Sequence, residues 1–208
     1  MKQLLLDIQP APVPTLENFV AGGNSEALFS LLEAASGRAE VACIYLWGES
    51  GGGKSHLLRA CIDLARQHGV QLQGADDVQN LDDAAQIELF NSYNRLRDSG
   101  GVLIATGNAA PMQLGVRDDL ATRLSWGLVY QLRPLSDQEK ARALQNHAEE
   151  RGMKLPQEVL EYCLRHQRRD LRSLMATLDA LDQWSLTAKR PITLPLLRQL
   201  LQLPLQLD

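Results

Sequence analysis

Short apolar runs alternate along the chain with stretches of helical periodicity. The clearest apolar run is VACIYLW at 41–47, where bulky side chains follow one another between turn residues. Such a continuous run predicts a strand that is buried on both faces. From Lys54 to Ala65, apolar residues recur at steps of three and four, which predicts a helix ending near Gly69. The pattern therefore predicts a strand, a loop and a helix in succession.

The alternation continues through the middle of the chain. Apolar runs predict further strands at 70–75, 101–106 and 127–132, and helical spacing predicts helices at 83–98 and 117–124. Strands that alternate with helices imply a mostly parallel sheet with right-handed crossovers. The predicted fold class of this part is therefore α/β.

The pattern changes at Ser136, and no further strand is evident after it. Ser136 and Glu139 have the spacing of a capping box, which predicts the start of a helix. Pro156 suits the first turn of a second helix, and leucines at three- and four-residue steps over 171–181 predict a third. A last short helix is predicted in LPLLRQLL. Residues 136–208 thus form a predicted small helical domain.

Composition limits the classes of function. The chain has 208 residues, of which 45% are hydrophobic and 22% charged, as is usual for a soluble globular protein. No apolar run approaches the roughly 20 residues that cross a bilayer, and the N-terminal apolar stretch is too short for a signal peptide. We therefore expect a cytoplasmic protein with no membrane partner. Three scattered cysteines predict buried reduced thiols, and a net charge of −4 argues against a protein that coats nucleic acid.

The loop GESGGGKS at 48–55 fits the pattern GxxxxGK[ST] and lies between the predicted strand and helix. Glycines allow successive backbone N–H groups to turn inward around phosphates, and the helix N-terminus adds positive potential. Lys54 would reach the β- and γ-phosphates, and the Ser55 hydroxyl would complete the coordination of Mg²⁺. The loop therefore predicts a nucleotide site; the competing interpretation is a flexible glycine turn that binds nothing.

Hydrolysis also needs an acid that holds Mg²⁺ and a group that orients the attacking water. Asp76 and Asp77 follow a predicted strand, and we assign Asp76 to the metal side and Asp77 to the water-positioning base. Asp82 and Asp83 are alternative candidates for these two roles, although they are more typical of the N-cap of the next helix. The strand before Asp76 is unusually polar for a buried one.

Two arginines lie where a phosphate in transfer could use them. Arg123 is at the end of a short predicted helix, from which it could project to a neighbouring subunit. Arg169 begins a helix of the second domain and could fold back onto bound phosphate. Taken alone, either arginine is also typical of a surface or capping residue.

Several motifs occur together in an order that resembles the AAA+ core of the bacterial replication initiator DnaA. The resemblance runs from about Thr15 to the end of the chain. It implies a P-loop Rossmann-like parallel sheet flanked by helices, followed by a small all-helical lid domain. The motifs are TLENFVAGGNSEAL (15–28), YLWGESGGGKSHLL (45–58), DDVQ (76–79), ATRLSWGL (121–128) and RRDLRSLMATLDALD (168–182).

The resemblance also implies a role for each candidate site residue. It places Walker B at Asp76 and Asp77, sensor 1 at Asn108, an arginine finger acting in trans at Arg123 and sensor 2 at Arg169. By the same resemblance, Ser55 and Asp76 are the residues that would face the Mg²⁺ ion. The implied nucleotide-binding residues are Gly48, Glu49, Ser50, Gly51, Gly52, Gly53, Lys54, Ser55, His56 and Arg169.

The chain has no room for the N-terminal domain and the helix-turn-helix DNA-binding domain of DnaA, so it resembles the regulatory inactivators of DnaA within this family. The resemblance implies a negative regulator of replication initiation that carries ADP or ATP with Mg²⁺. Its implied partners are DnaA and the DNA polymerase III β sliding clamp loaded on DNA, with DNA itself contacted only indirectly or weakly. A nucleotide-dependent homo-oligomer is left open.

Two other functions remain open from the sequence. One is an autonomous AAA+ ATPase, such as a helicase-loader-like remodelling factor, which the complete P-loop and the two aspartates favour. The other is a DNA-binding protein, whose basic patch would comprise Arg165, Arg168, Arg169 and Arg172.

Clamp-binding peptides in this family have the form QLxLPL. Gln3, Leu4 and Leu6 match it in QLLLDI, with Asp7 where the proline would be. The C-terminal QLPLQL, which begins at Gln202, is a second candidate. We therefore predict three parts of the chain, namely a clamp-binding segment (1–14), an AAA+ nucleotide-binding domain (15–135) and a helical lid domain (136–208).

One departure from the family concerns the chain between Lys54 and Asp76. It has room for only one helix and one strand, whereas the family adds an edge strand and another helix before Walker B. Loss of that edge strand would expose the polar strand QLQGA. We therefore expect the protein's own ATPase to be weak.

Overall fold

The computed structural model describes residues 13–166 and 171–202, with the side chain of Arg172 left out. It divides into two compact units, the first comprising residues 13–134 and the second beginning at Leu135. Within the described ranges, no helix has both the length and the apolar character that crossing a membrane would require.

The first unit is built on a four-stranded sheet in which every strand pair is parallel. Helices cover the sheet, and short 3-10 turns lie at Gly22–Asn24, Val78–Asn80 and Pro111–Gln113. The strand order is β2-β3-β1-β4. The strands are β1 (Cys43–Trp47), β2 (Leu72–Ala75), β3 (Val102–Gly107) and β4 (Leu128–Gln131). The helices are α1 (Ser25–Ala35), α2 (Lys54–His68), α3 (Asp83–Ser99) and α4 (Asp118–Ser125).

The central strand β1 is buried on both faces, as its continuous apolar sequence predicted. Ile44 and Leu46 belong to the core under α1 and α2, whereas Cys43 and Tyr45 belong to the core with α3 and α4. All four side chains are fully buried. Because helices cover both faces, the strand needs apolar residues at successive positions.

The strand β2 lies at an edge of the sheet, and its residues are half-buried or exposed. Gly74 lies so close to α2 that a Cβ atom there would be 2.6 Å from the Cδ1 atom of Ile62. The polar and small residues of QLQGA therefore have a structural reason. One neighbouring strand and one helix cover β2, so large apolar side chains would be exposed on one side and crowded on the other.

Helix α1 is an element that the sequence pattern did not predict. It is buried through Ala27, Leu31, Ala34 and Ala35, and it packs beside α2 on the sheet. Three of these four residues are alanines, which carry a weak periodic signal. Its N-terminus also lacks a capping side chain, so the usual start signal is absent.

The second unit is helical throughout its described residues, in agreement with the predicted class. The capping box is present, because the Glu139 backbone N–H donates to Ser136 Oγ and the Glu139 carboxylate accepts from the Ser136 N–H. His147 Nε2 lies 2.7 Å from Asp179 Oδ1, which links the first and third helices. The helices are α5 (Asp137–Glu150), α6 (Gln157–His166), α7 (Leu171–Ala188) and α8 (Leu194–Gln202).

The three cysteines are free and buried, as predicted. Burial raises the pKa of Cys43 and of Cys61 to about 12, and that of Cys163 to about 11. The thiols therefore remain protonated at neutral pH and act as apolar core residues.

Candidate nucleotide-binding site

The glycine loop begins where β1 ends, and glycine is required at two of its positions. Gly48 has φ +144°, and a Cβ atom there would be 2.4 Å from the carbonyl oxygen of Leu132. Gly53 has φ +87°, and a Cβ atom there would be 2.5 Å from Cε2 of Phe19. A side chain at either position would therefore disturb the path of the loop.

Lys54 closes this loop. Its Nζ atom donates to the carbonyl oxygens of Gly48 at 2.8 Å and Glu49 at 2.9 Å, and the residue is only 9% exposed. An ammonium group has three N–H bonds, so one remains for a phosphate oxygen. Lys54 is also the first residue of α2, whose N-terminus has no side-chain cap. The uncapped N–H groups and the buried cation together suit a bound phosphate.

The other residues of the glycine loop form its solvent-exposed side, here called its outer rim, and its connection to α2. Glu49, Ser50 and Gly51 are exposed, whereas Gly52 is buried and its N–H donates to the Glu49 carbonyl at 3.3 Å. Ser55 is half-buried in the first turn of α2. The outer rim is therefore open to a ligand from solvent.

The His56 side chain connects α2 to the chain segment that precedes α1. His56 Nε2 lies 2.9 Å from the carbonyl oxygen of Thr15, and its ring centroid lies 5.6 Å from that of Phe19. Since Phe19 also contacts Gly53, this segment lies against the start of the glycine loop.

The strand register brings the other candidate residues to the same edge of the sheet. Trp47 at the end of β1 pairs with Gly107 at the end of β3, and Ala75 at the end of β2 pairs with Ala105. The glycine loop, Asp76 and Asn108 therefore follow the carboxyl ends of three adjacent parallel strands. This is the edge at which ligands bind in open α/β sheets.

A buried hydroxyl anchors the two aspartates. Thr106 Oγ1 donates to Asp76 Oδ1 at 2.5 Å and accepts from the backbone N–H of Asp77 at 2.9 Å. Thr106 has no solvent exposure. Thr106 was not predicted as a site residue, although a threonine inside a buried apolar strand is a signal, because its hydroxyl needs a partner there.

The network continues to Asn108, the predicted sensor 1 residue, through Gln79. The Gln79 side-chain amide donates to Asp77 Oδ1 at 3.1 Å, and its oxygen accepts from the Asn108 backbone N–H at 3.2 Å. Gln79 belongs to the DDVQ motif but was not predicted to have a role in the site. The network orients the Asp77 carboxylate and ties it to the residue after β3.

The oxygen donors at this edge fit a magnesium ion that is bound together with phosphate. The described residues contain no cluster of three or more His, Cys, Asp or Glu side chains that would hold a metal alone. Mg²⁺ in nucleotide sites uses one or two protein oxygens beside phosphates and water. The Ser55 hydroxyl and the exposed Asp76 carboxylate are of that kind. Asp82 instead caps α3, since its carboxylate accepts from the Ala85 N–H at 2.8 Å.

Arg123 lies on α4 within a group of aromatic rings. The Cζ atom of its guanidinium is 4.1 Å from the ring centroid of Trp126, 5.6 Å from that of Phe90 and 5.9 Å from that of Tyr93. The side chain is half-buried between α3 and its own helix.

The last turn of α4, which carries Arg123, leads to the opposite end of the strands from the glycine loop. Gly127, just after α4, is so close to Cys43 that a Cβ atom there would be 2.1 Å from the Cys43 carbonyl oxygen. Cys43 begins β1, whereas the loop follows Trp47 at its other end. A five-residue strand spans about 13 Å. The C-terminal end of α4 and the loop are therefore separated by the length of β1.

Four predicted site residues lie outside the described ranges: Gln3, Leu4, Leu6 and Arg169. The second clamp-binding candidate begins at Gln202, the last residue of α8, and the rest of that peptide also lies outside.

Comparisons with known proteins identify the helical unit and the fold. Residues 137–201 match the family model described as Hda, lid domain. Domain III of the replication initiation protein DnaA from Thermotoga maritima is similar with a TM-score of 0.73 and 27% identity, over 93% of this chain and 98% of that one. AMPPCP-bound DnaA from Aquifex aeolicus has a TM-score of 0.67 and 23% identity, over 86% and 70% respectively.

A RuvB protein from Thermotoga maritima shares the fold alone, with a TM-score of 0.65 and 15% identity over 92% of this chain and 71% of that one. These likenesses agree with the parallel sheet, the glycine loop and the helical unit, and they confirm the AAA+ fold class. The helical domain therefore matches the Hda lid family, and the chain as a whole has the AAA+ fold that it shares with DnaA domain III.

Proposed function

We propose that the chain binds ADP or ATP with Mg²⁺ at the carboxyl edge of the sheet. Lys54 and the N-terminus of α2 would hold the phosphates, and Ser55 and Asp76 would face the metal. The support is the buried Lys54 ammonium with one free N–H bond, next to an uncapped helix N-terminus. The similarity to AMPPCP-bound DnaA supports the same ligand class.

The proposed biological role is negative regulation of replication initiation through hydrolysis of the ATP bound to DnaA. The observation that supports this role is that Arg123 lies in the last turn of α4, which ends beside the start of β1, whereas the glycine loop follows the end of β1. From there, the guanidinium would act on a nucleotide held by another protein. An arginine at the developing charge of the transferring phosphoryl group is worth about 10³ to 10⁵ in rate. The Hda-like lid supports DnaA as the protein that receives it.

A direct test adds the purified full-length chain to ATP-bound DnaA and follows the conversion to ADP. We expect the rate to rise only when sliding clamp loaded on DNA is also present, because the clamp would bring the two proteins together. A rate that does not respond to the chain, with the clamp present, would contradict the regulatory role.

The proposal includes direct binding of the chain to the sliding clamp. It also includes a cytoplasmic location. Gln3, Leu4 and Leu6 are the first candidate peptide, and the segment from Gln202 is the second. A pull-down with immobilised clamp should lose the Gln3→Ala variant and retain the Gln202→Ala variant. Gln199→Ala, an exposed glutamine on α8, serves as a control. Loss of the Gln202→Ala variant alone would assign the clamp contact to the C-terminus.

A second candidate function is an autonomous ATPase. The network from Thr106 through Asp76, Asp77 and Gln79 to Asn108 favours it, since it orients groups that hydrolysis needs. Steady-state ATP turnover by the isolated chain tests this function. Turnover that falls on Asp77→Ala substitution would support it, whereas turnover indifferent to that change would not.

A further inference from the structure

Arg123 differs from the other paired arginines of the first unit in the kind of partner that it has. Arg38, Arg66, Arg97 and Arg117 each have a carboxylate oxygen between 2.6 and 3.0 Å from a guanidinium nitrogen. Within the described residues, Arg123 has neither an ion pair nor a hydrogen bond from its side chain, and its contacts are with aromatic rings.

Trp126 is the nearest of these rings, with its centroid 4.1 Å from Cζ of Arg123. Residues three apart on a helix lie on the same face, and the Trp126 N–H donates to the Arg123 carbonyl at 3.2 Å. The Trp126 residue is nevertheless 63% exposed. A large aromatic side chain is therefore kept at the surface beside the guanidinium.

The type of contact determines what the guanidinium can still bind. An aromatic ring attracts the face of a guanidinium, whereas the five N–H donors point outward in its plane. A carboxylate partner would occupy those donors and would repel an approaching phosphate. The ring restrains Arg123 without using its hydrogen-bond donors, so they stay available for phosphate oxygens.

We propose that Trp126 is the positioning residue for the arginine finger: it holds Arg123 so that the N–H donors face the phosphates of a nucleotide bound by the partner protein. This inference rests on the proposed action on DnaA. It predicts that loss of the aromatic ring lowers the rate of ATP hydrolysis in the assembled complex. The complex itself should still assemble.

The test titrates the full-length chain against ATP-bound DnaA with clamp loaded on DNA. Trp126→Leu keeps apolar bulk but removes the aromatic face, and Trp126→Phe keeps a face. We expect Trp126→Leu to lower the saturating hydrolysis rate about threefold to tenfold, the size of one cation–π contact. The half-saturating concentration should stay the same, and Trp126→Phe should retain most of the rate.

Phe29→Leu is the matched control, because Phe29 is also 63% exposed and lies on α1, on the other face of the sheet. It should leave the rate unchanged. A normal saturating rate with Trp126→Leu, or a change confined to the half-saturating concentration, would overturn the positioning role. Arg123→Ala separates the two proposals: if it stimulates like the wild type, the assignment of Arg123 as the arginine finger fails, and the present inference fails with it. If it is impaired and Trp126→Leu is not, only the present inference fails.

Discussion

At the scale of single residues, Lys54 is held by two carbonyl oxygens of the loop that it closes. Lys54→Ala should weaken ADP and ATP binding about 10- to 100-fold, since a charge-assisted hydrogen bond contributes about 1.5 to 3 kcal/mol. Titration with a fluorescent nucleotide measures this change. Lys154→Ala, an exposed lysine of the second unit, should bind normally. Equal affinities for both variants would contradict the assigned phosphate site.

Thr106 makes a second prediction at this scale. Thr106→Val keeps the shape of the side chain but leaves the Asp77 N–H without its partner and frees the Asp76 carboxylate. We expect a loss of about 1 to 3 kcal/mol in the free energy of unfolding, because a buried donor becomes unsatisfied. We also expect Mg²⁺ to strengthen nucleotide binding less than in the wild type.

Urea unfolding and nucleotide titrations with and without Mg²⁺ check both effects. Thr177→Val is the control, since its hydroxyl only bonds to a carbonyl of its own helix. If the Mg²⁺ dependence of Thr106→Val matches that of the wild type, then Thr106 does not orient the metal-side acid.

These residues also show how far the sequence determines the site. The spacing of Gly48, Lys54 and Ser55 was enough to predict a loop between β1 and α2, because the pattern of such a loop is local in sequence. Thr106 and Gln79 could not be placed, because their partners lie on a neighbouring strand whose register the sequence does not specify. The environment of Arg123 was likewise hidden, since two of its three aromatic contacts come from α3.

At the scale of elements, apolar pattern predicted every strand and most helices of the described residues. The continuous apolar runs predicted β1 and β3 correctly. Such runs occur there because both strands are buried between helices. Helix α1 was missed because alanines form most of its buried face and no side chain caps it. The polarity of β2 was visible in the sequence, but its place at the sheet edge required the strand order.

The capping box of α5 gives a prediction about pH. Hydrogen bonds from the Ser136 backbone N–H and hydroxyl hold the pKa of Glu139 below its usual value. A depressed folded-state pKa stabilises the fold above the unfolded pKa, and that stability is lost as the pH falls through the folded one. Glu139→Gln should therefore lower the free energy of unfolding at pH 7, and the difference should vanish in acid.

Urea unfolding of the two proteins at pH 7 and at pH 3 measures this difference. Glu149→Gln, at an exposed position near the end of the same helix, controls for the loss of one negative charge. A difference that persists unchanged in acid would show that the ionised carboxylate does not stabilise the helix start.

At the scale of the whole molecule, the two proposed sites lie at opposite ends of the strands of the first unit. The glycine loop, Asp76 and Asn108 lie at the carboxyl edge of the sheet, whereas the C-terminal end of α4 lies by the amino end of β1. In the proposed mechanism, the chain holds its own nucleotide at the carboxyl ends of the strands and acts on a partner's nucleotide from the other end. A chain of this design would act on another protein even if its own hydrolysis were slow.

The most direct measurement is hydrolysis of DnaA-bound ATP, with clamp loaded on DNA, in the presence of Arg123→Ala. We expect stimulation to be lost while the variant still binds nucleotide normally, because the end of α4 that carries Arg123 lies by the start of β1 and the chain's own loop follows the end of β1. Arg117→Ala is the matched control; its guanidinium lowers the pKa of Asp119 by a hydrogen bond and lies at the start of the same helix. It should stimulate normally. Stimulation by Arg123→Ala equal to that of the wild type would contradict the account.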